Sequence, residues 1–378
     1  MTIYKEEHEI FRNAFRKFVE KEVVPHVDEW QEQRGIPREL WKKLGEQGYL
    51  CPWLNEKYGG SGADLEYSLI CIEELAKSTV GMVISAHADV VVWYIADYGN
   101  EDQKERWLPG CASGDLITAI VMTEPDAGSD VKAIRTSATR DGDDYIINGQ
   151  KTFITNGYAC DLALVACKTD PHADPPTKGI SLIIVEAGTP GFTRRKLNKL
   201  GLHSEDTAEM SFDNCRVPRT NLIGEEGMGF TYMMENLQRE RLMVTLWFQC
   251  LAERILSDAI EYAKTREAFG RPIGNFQHNA FKIAEMATEV ELGRAFMDTL
   301  VEEFRTGKDI VTKVSMAKWW ISEMANRIAY QSLQLHGGYG YMEEYPIARL
   351  YRDVRPQTIY AGTTEIMKLI ISRNLGFG

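Results

Sequence analysis

The chain has 378 residues, 44% of them hydrophobic and 26% charged, with a formal net charge of −12. This length exceeds one ordinary domain, and the composition is that of a globular protein able to bury a large core. The acid excess and the lack of a long basic cluster argue against nucleic-acid binding, and no apolar run approaches a membrane span.

The N-terminus, "MTIYKEEHEIFRNAF", lacks the apolar core of a secretory signal, so the expected home is the cytoplasm, or an organelle matrix if a transit peptide has been removed. The 7 cysteines contain no CxxC and the 7 histidines no HxxxH pair, so no metal is expected.

Residues 1–115 read as an N-terminal helical domain. "EEHEIFRNAFRKFVEKEVV" sets Ile10, Phe11, Ala14, Phe18 and Val19 at helical spacing. A shorter helix follows in "PRELWKKLGEQGYL", with Pro37 suited to its first turn. "LEYSLICIEELAKSTVGMVISAHADVVVWYIADYG" reads as two apolar helices broken near Gly81. Residues 116–227 change period. "ATRDGDDYIINGQKTFITNG" places an Asp-Gly and two Asn-Gly pairs between β-prone runs, which predicts hairpin turns in an antiparallel β domain. From 228 to 378 the helical period returns, with long helices over about 228–265, 276–306 and 310–336 and a last one from about 363. The fold class is therefore α+β, mainly α, in the order helices, sheet, helices.

One helix carries an acid in an odd place. In "YMMENLQRERLMVTLWFQCL", Met233, Leu237, Val244, Trp247 and Leu251 share a stripe about 80° wide at the helical period. Glu240 lies inside that stripe, while Glu235, Gln238 and Arg239 read as surface residues. A buried carboxylate needs a cation partner or a raised pKa, so Glu240 is either half of a structural ion pair or a catalytic base.

"VMTEPDAGSDV" is a turn-rich loop whose backbone N–H groups could hold an anion or the polar edge of a heterocycle, though an ordinary surface turn would read the same. "HGGYGYMEEYP" follows a helix and lacks the strand context of a dinucleotide fingerprint. Taken in order, "TEPDAGSD", "GQKTFITNG", "TREAFGRPIGNFQ", "LQLHGGYGYMEEYPIARLYRD" and "IYAGTTEIMKLIISR" closely resemble the acyl-CoA dehydrogenases over essentially the whole chain.

That resemblance implies the family fold, non-covalent FAD, and removal of a Cα proton while hydride leaves Cβ for flavin N5. It implies that Met122, Thr123, Phe153 and Thr155 surround the flavin ring, with Thr155 donating near N5, and that Ser129 contacts the CoA chain. Arg241, about 100° round the helix from Glu240, is placed with the substrate-side residues in a structural or charge-tuning role. Arg266, Phe269, Gln277, Gln334, Gly338, Thr363 and Glu365 match further FAD-binding positions, shared between subunits of a dimer or homotetramer. Many family members carry their base immediately before the "GT" of the last motif, where this chain has Ala361. The long-chain and isovaleryl types carry it on the earlier helix, followed by Arg-Leu, which matches Glu240. The resemblance makes Glu240 the base and leaves Ala361 a role through its backbone N–H, toward the thioester carbonyl.

Tyr360 is bulky where the isovaleryl enzymes carry glycine, which disfavours that substrate, and the overall wording is nearest the long-chain type. Asp89 reads either as a solvent-facing or capping aspartate, or as a second acid/base suited to a cyclic or polar acyl group. An acyl-CoA oxidase would share nearly all these motifs, and a non-catalytic relative would bind FAD without thioester-driven reduction. The expected partners are an acyl-CoA substrate and an electron-transfer flavoprotein as acceptor.

Overall fold

The computed structural model describes residues 4–80 and 82–377. Helices open the chain: α1 (Glu6–Glu22), α2 (Val27–Gln33), α3 (Arg38–Glu46), α4 (Leu65–Ser78), α5 (Met82–Ser85), α6 (Val92–Tyr98) and α7 (Glu101–Ser113). A π-helical turn, Ala86–Val91, joins α5 to α6. The break expected near Gly81 falls on a residue outside the described set. Just before it, Thr79 ends α4 in the left-handed conformation at φ 66°. Helix α7 is announced by a capping box that periodicity alone did not reveal: Asn100 and Gln103 exchange side-chain-to-backbone hydrogen bonds of 2.9 Å.

The buried face of α1 differs from the expected stripe. Ile10 is 65% exposed and Ala14 is also exposed, whereas His8, Arg12, Phe15 and Val19 are buried. The reason is electrostatic. Arg12 pairs with Glu73 at 2.6 Å and Glu74 at 3.2 Å on α4, so the helix is rotated to bring its cation inward.

The strands are β1 (Thr118–Val121), β2 (Ser137–Asp141), β3 (Asp144–Thr155), β4 (Leu162–Lys168), β5 (Ile180–Glu186), β6 (Phe192–Lys196), β7 (Thr207–Pro218) and β8 (Leu222–Ile223). They form one sheet in the order β6-β7-β3-β2-β4-β5-β8, with β1 beside β4. The sheet is mixed rather than purely antiparallel, because β4 runs parallel to both β1 and β2. Of the pairs expected to turn, Asp141-Gly142 joins β2 to β3 and Asn156-Gly157 ends β3. Asn148-Gly149 does not turn the chain. It lies inside β3 at a register shift against β7, where the Asn148 side chain accepts the Asn214 N–H at 2.8 Å and takes the ladder's place at the bulge.

The second helical region holds α8 (Gly229–Thr265), a short hairpin of β9 (Glu267–Ala268) and β10 (Arg271–Pro272), α9 (Gln277–Arg305), α10 (Val311–His336), α11 (Pro346–Val354) and α12 (Thr364–Asn374). Helix α8 packs against α4, α9, α10 and α11. Its middle is buried nearly all round, including Leu242, Met243, Leu246, Phe248 and Cys250 beyond the expected stripe. It is the spine on which the site is built. None of the helices among the described residues is long and apolar enough to cross a membrane.

Candidate active site

Helices α6 and α8 run antiparallel and meet through paired side chains. Tyr94 donates its phenol proton to Glu240 Oε1 at 2.6 Å. One turn along, Tyr98 donates to Glu235 at 2.7 Å and stacks on Tyr232 with ring centroids 3.9 Å apart. Glu240 is half-buried. Burial raises its pKa above the ordinary glutamate value, against the lowering effects of the Tyr94 hydrogen bond, Arg239 and Arg241. No cation pairs with it at salt-bridge distance among the described residues, so the simple ion-pair reading is not met.

The neighbouring arginines are engaged elsewhere. Arg239 is not the expected surface residue. Its guanidinium stacks 3.8 Å above the Trp93 ring and reaches Asp97 at 3.2 Å, with its side chain 14% exposed. Arg241 is buried and donates from Nε to the Ala361 carbonyl at 3.3 Å. This bond ties the residue after Glu240 to the loop before α12. Ala361 holds φ 55° and Gly362 φ 99°, so the chain turns sharply here. Lys318, fully buried on α10, donates to the Gly362 carbonyl. Burial and then Arg241 lower its pKa to about 8. Two cations thus grip consecutive carbonyls of one loop.

Past the loop, Thr363 caps α12 and accepts the Ile366 N–H at 3.3 Å, while Thr364 donates to Glu323 at 2.9 Å. Glu365 is exposed in the first turn. Tyr360, on the other side, meets Phe248 edge-on at 5.4 Å and is partly buried.

The β domain supplies a second wall. Buried Lys151 donates to the Met122 carbonyl at 2.9 Å and pairs with Glu124 at 2.9 Å. Glu124 also accepts the N–H groups of Arg135 and Thr136, which fixes the "TEPDAGSD" loop. The Thr152 N–H bonds the Thr123 carbonyl at 2.9 Å. Met122, Thr123, Phe153 and Thr155 are therefore brought together, with Phe153 held at φ 60° and 69% exposed. Ser129 lies exposed on the same loop.

Arg266, Phe269, Gln277, Gln334 and Gly338 gather at the opposite end of α10, about 24 Å along the helix from Lys318 at 1.5 Å per residue. Arg266 lies 5.2 Å from the Tyr339 ring centroid. Phe269, at φ 51° in the β9–β10 turn, is 95% exposed and meets Phe276 at 6.0 Å, next to Gln277. A cavity of ≈ 450 Å³ here is lined by Tyr262, Arg266, Leu335, His336, Gly338 and Tyr339. The seven FAD-matched positions thus form two groups, five at the C-terminal end of α10 and two, Thr363 and Glu365, beside its first half, where Lys318 meets Gly362 and Glu323 meets Thr364.

Asp89 is neither solvent-facing nor a cap. It sits in the π-helical turn, 4% exposed, and accepts from Ser85 at 2.9 Å. Burial pushes its pKa up to about 6, against the lowering effects of Ser68, Ser85 and Arg239. It makes no hydrogen bond to Glu240.

Tyr94 and Lys318 were missed by sequence reasoning. A tyrosine pair at positions 94 and 98 marks a helix face, but its partner lies 146 residues away and no local pattern points to it.

The acyl-CoA dehydrogenase N-terminal domain model matches residues 5–115, the middle domain model 119–215 and the C-terminal domain model 227–376. The chain is 45% identical to the long-chain specific acyl-CoA dehydrogenase of Sus scrofa, over 99% of this chain and 87% of that protein. An acyl-CoA dehydrogenase of Bacillus subtilis is 40% identical over 98% of each chain. The crystal structure of acyl-CoA dehydrogenase from Geobacillus kaustophilus superimposes with a TM-score of 0.98 at 58% identity, covering 99% of both chains. The chain belongs to the acyl-CoA dehydrogenase family. It is an FAD-dependent oxidoreductase acting on CH–CH bonds. Its residues fit the cofactor: Phe153 presents an exposed aromatic face beside hydrogen-bonded backbone, and the N-terminus of α12, capped by Thr363, is the kind of helix start that favours a phosphate.

Proposed function

We propose that Glu240 removes the Cα proton of a straight-chain acyl-CoA thioester, giving the 2-enoyl-CoA. The observation that carries this reading is the link from Glu240, through adjacent Arg241, to the carbonyl of Ala361. The position where many relatives carry their base is an alanine, and the residue that follows the half-buried acid of α8 is tied to that very loop.

Bound FAD supplies the hydride acceptor for the hydrogen leaving Cβ. Met122, Thr123, Phe153 and Thr155 hold its ring system, and Thr363 and Glu365 at the start of α12 hold its polar tail. Arg266, Phe269, Gln277, Gln334 and Gly338 serve the cofactor of a neighbouring subunit. Their exposure and their place at the far end of α10 support this pairing, and a homotetramer built from such pairs is the assembly we infer. Arg241 and Lys318 orient the Ala361–Gly362 loop so that the Ala361 N–H meets the thioester carbonyl, where enolate charge develops. The apolar wall around Glu240 excludes water and raises its basicity toward that of the carbon acid. Ser129 and Tyr360 line the substrate path.

The likeness to the long-chain enzyme favours a linear chain. Asp89 bonded within its own turn speaks against a second acid beside the substrate. The acceptor we infer is an electron-transfer flavoprotein; an oxidase would instead release peroxide during turnover. Anaerobic flavin bleaching by straight, branched and cyclic acyl-CoA thioesters tests the assignment. Rapid bleaching by straight chains is expected, and bleaching by cyclic or polar thioesters alone would overturn it.

A further inference from the structure

We propose that Tyr94 is a positioning residue for this reaction: its phenol fixes one oxygen of the Glu240 carboxylate and keeps the base ionised between turnovers. The inference rests on Glu240 being the base.

The contact is short and specific. Tyr94 Oη lies 2.6 Å from Glu240 Oε1, within the range of charge-assisted O–H···O⁻ bonds. Tyr94 is fully buried, and among the described residues Glu240 is the hydrogen-bond partner of its phenol. Oε2 receives no donor from the described residues, which leaves it as the oxygen to take the substrate proton. The proton then passes from Cα to Oε2, the Cα–H electron pair stays with the substrate, and the phenol keeps its own hydrogen throughout. Burial and the Glu240 charge push the acidity of Tyr94 far out of reach, so it acts as a donor only.

Backbone geometry sets up the contact. The π-helical turn Ala86–Val91 adds a residue to the helix and so rotates everything after it by about 100°. That rotation turns Tyr94 and Tyr98 together onto α8, where they meet Glu240 and Glu235. The expected helix without a π turn would aim both tyrosines elsewhere.

Other charged groups do not replace the phenol. On α8, Arg239 is committed to Asp97 and Trp93, and also lies near Asp89. Arg241 is committed to Ala361. From α6, Tyr98 is held by Glu235 and Asn236. From α10, Lys318 is committed to Gly362, with Glu323 and Glu365 beyond it. Removing the phenol therefore leaves the carboxylate partly desolvated without a donor, and it binds a proton more readily.

The test is the pH profile of anaerobic flavin reduction in the holoenzyme, with octanoyl-CoA and palmitoyl-CoA as probes. In Tyr94→Phe the acid limb should move up by about one pH unit, while reduction above the limb persists. Replacing Tyr94 alone with 3-fluorotyrosine, a nearly isosteric and stronger donor, should move the limb down. If the phenylalanine variant does not retain FAD, the fluorotyrosine protein decides. A limb that coincides with wild type in the protein that holds FAD overturns the proposal. Glu240→Gln separates the two claims: near-normal reduction there removes Glu240 as base, whereas lost reduction with an unmoved Tyr94 limb removes only the role of Tyr94.

Discussion

Arg241 on α8 donates to the carbonyl of Ala361, 120 residues away, and joins the helix of the candidate base to the loop before α12. A residue one step from Glu240 thereby controls where the Ala361 N–H lies. In Arg241→Met the loop keeps only its Lys318 anchor. Flavin reduction is expected to slow about 10- to 100-fold, the worth of one hydrogen bond from a charged donor, with FAD retained. Rates within twofold of wild type in stopped-flow absorbance would show that the loop needs no such tie.

Ala361 already holds φ 55°, so a glutamate there adds little backbone strain beyond what alanine bears. The double variant Glu240→Gln with Ala361→Glu should recover part of the reduction that Glu240→Gln alone loses. No recovery, with FAD content and spectrum intact, would mean that the two positions do not face the same substrate carbon.

Asp89 tests the energetics of burial. Its pKa is raised to about 6, so between its ordinary value near 4 and about 6 the folded protein binds more protons than the unfolded chain. Stability therefore falls as pH rises through that window, by about 3 kcal/mol in all. Asp89→Asn lacks this loss. Its stability relative to wild type should improve by up to that amount between pH 4 and pH 7, measured by chemical denaturation. A constant difference across the range would mean that Asp89 stays ionised throughout.

Much of the fold was legible because it rests on local rules. The long helices announce themselves through period, and Asp141-Gly142 through turn chemistry. Asn148-Gly149 misled because the same dipeptide serves a bulge inside β3, where tertiary pairing with Asn214 decides its use. Ile10 misled because the buried pair of Arg12 with Glu73 outweighed an apolar stripe. In the candidate site, Glu240 stood out as an acid among apolar neighbours. Tyr94 and Lys318 did not, since each acts through one contact with a residue distant in sequence, and the π-helical turn that aims Tyr94 has no periodic signature.

The bulge offers its own test. A Cβ added to Gly149, at φ 150°, would lie 2.4 Å from Thr136 Oγ1 and 2.7 Å from its Cα. Gly149→Ala should destabilise the protein by about 2–3 kcal/mol while leaving flavin reduction in the surviving holoenzyme unchanged. An unshifted unfolding transition would place the strand differently at this point.

The central claim is that Glu240 takes the Cα proton, and single-turnover flavin reduction in Glu240→Gln tests it most directly. With FAD bound and palmitoyl-CoA in excess, the account predicts a rate at least about 100-fold below wild type, the usual contribution of a positioned base. Bleaching near the wild-type rate would contradict it and transfer the proton to another group.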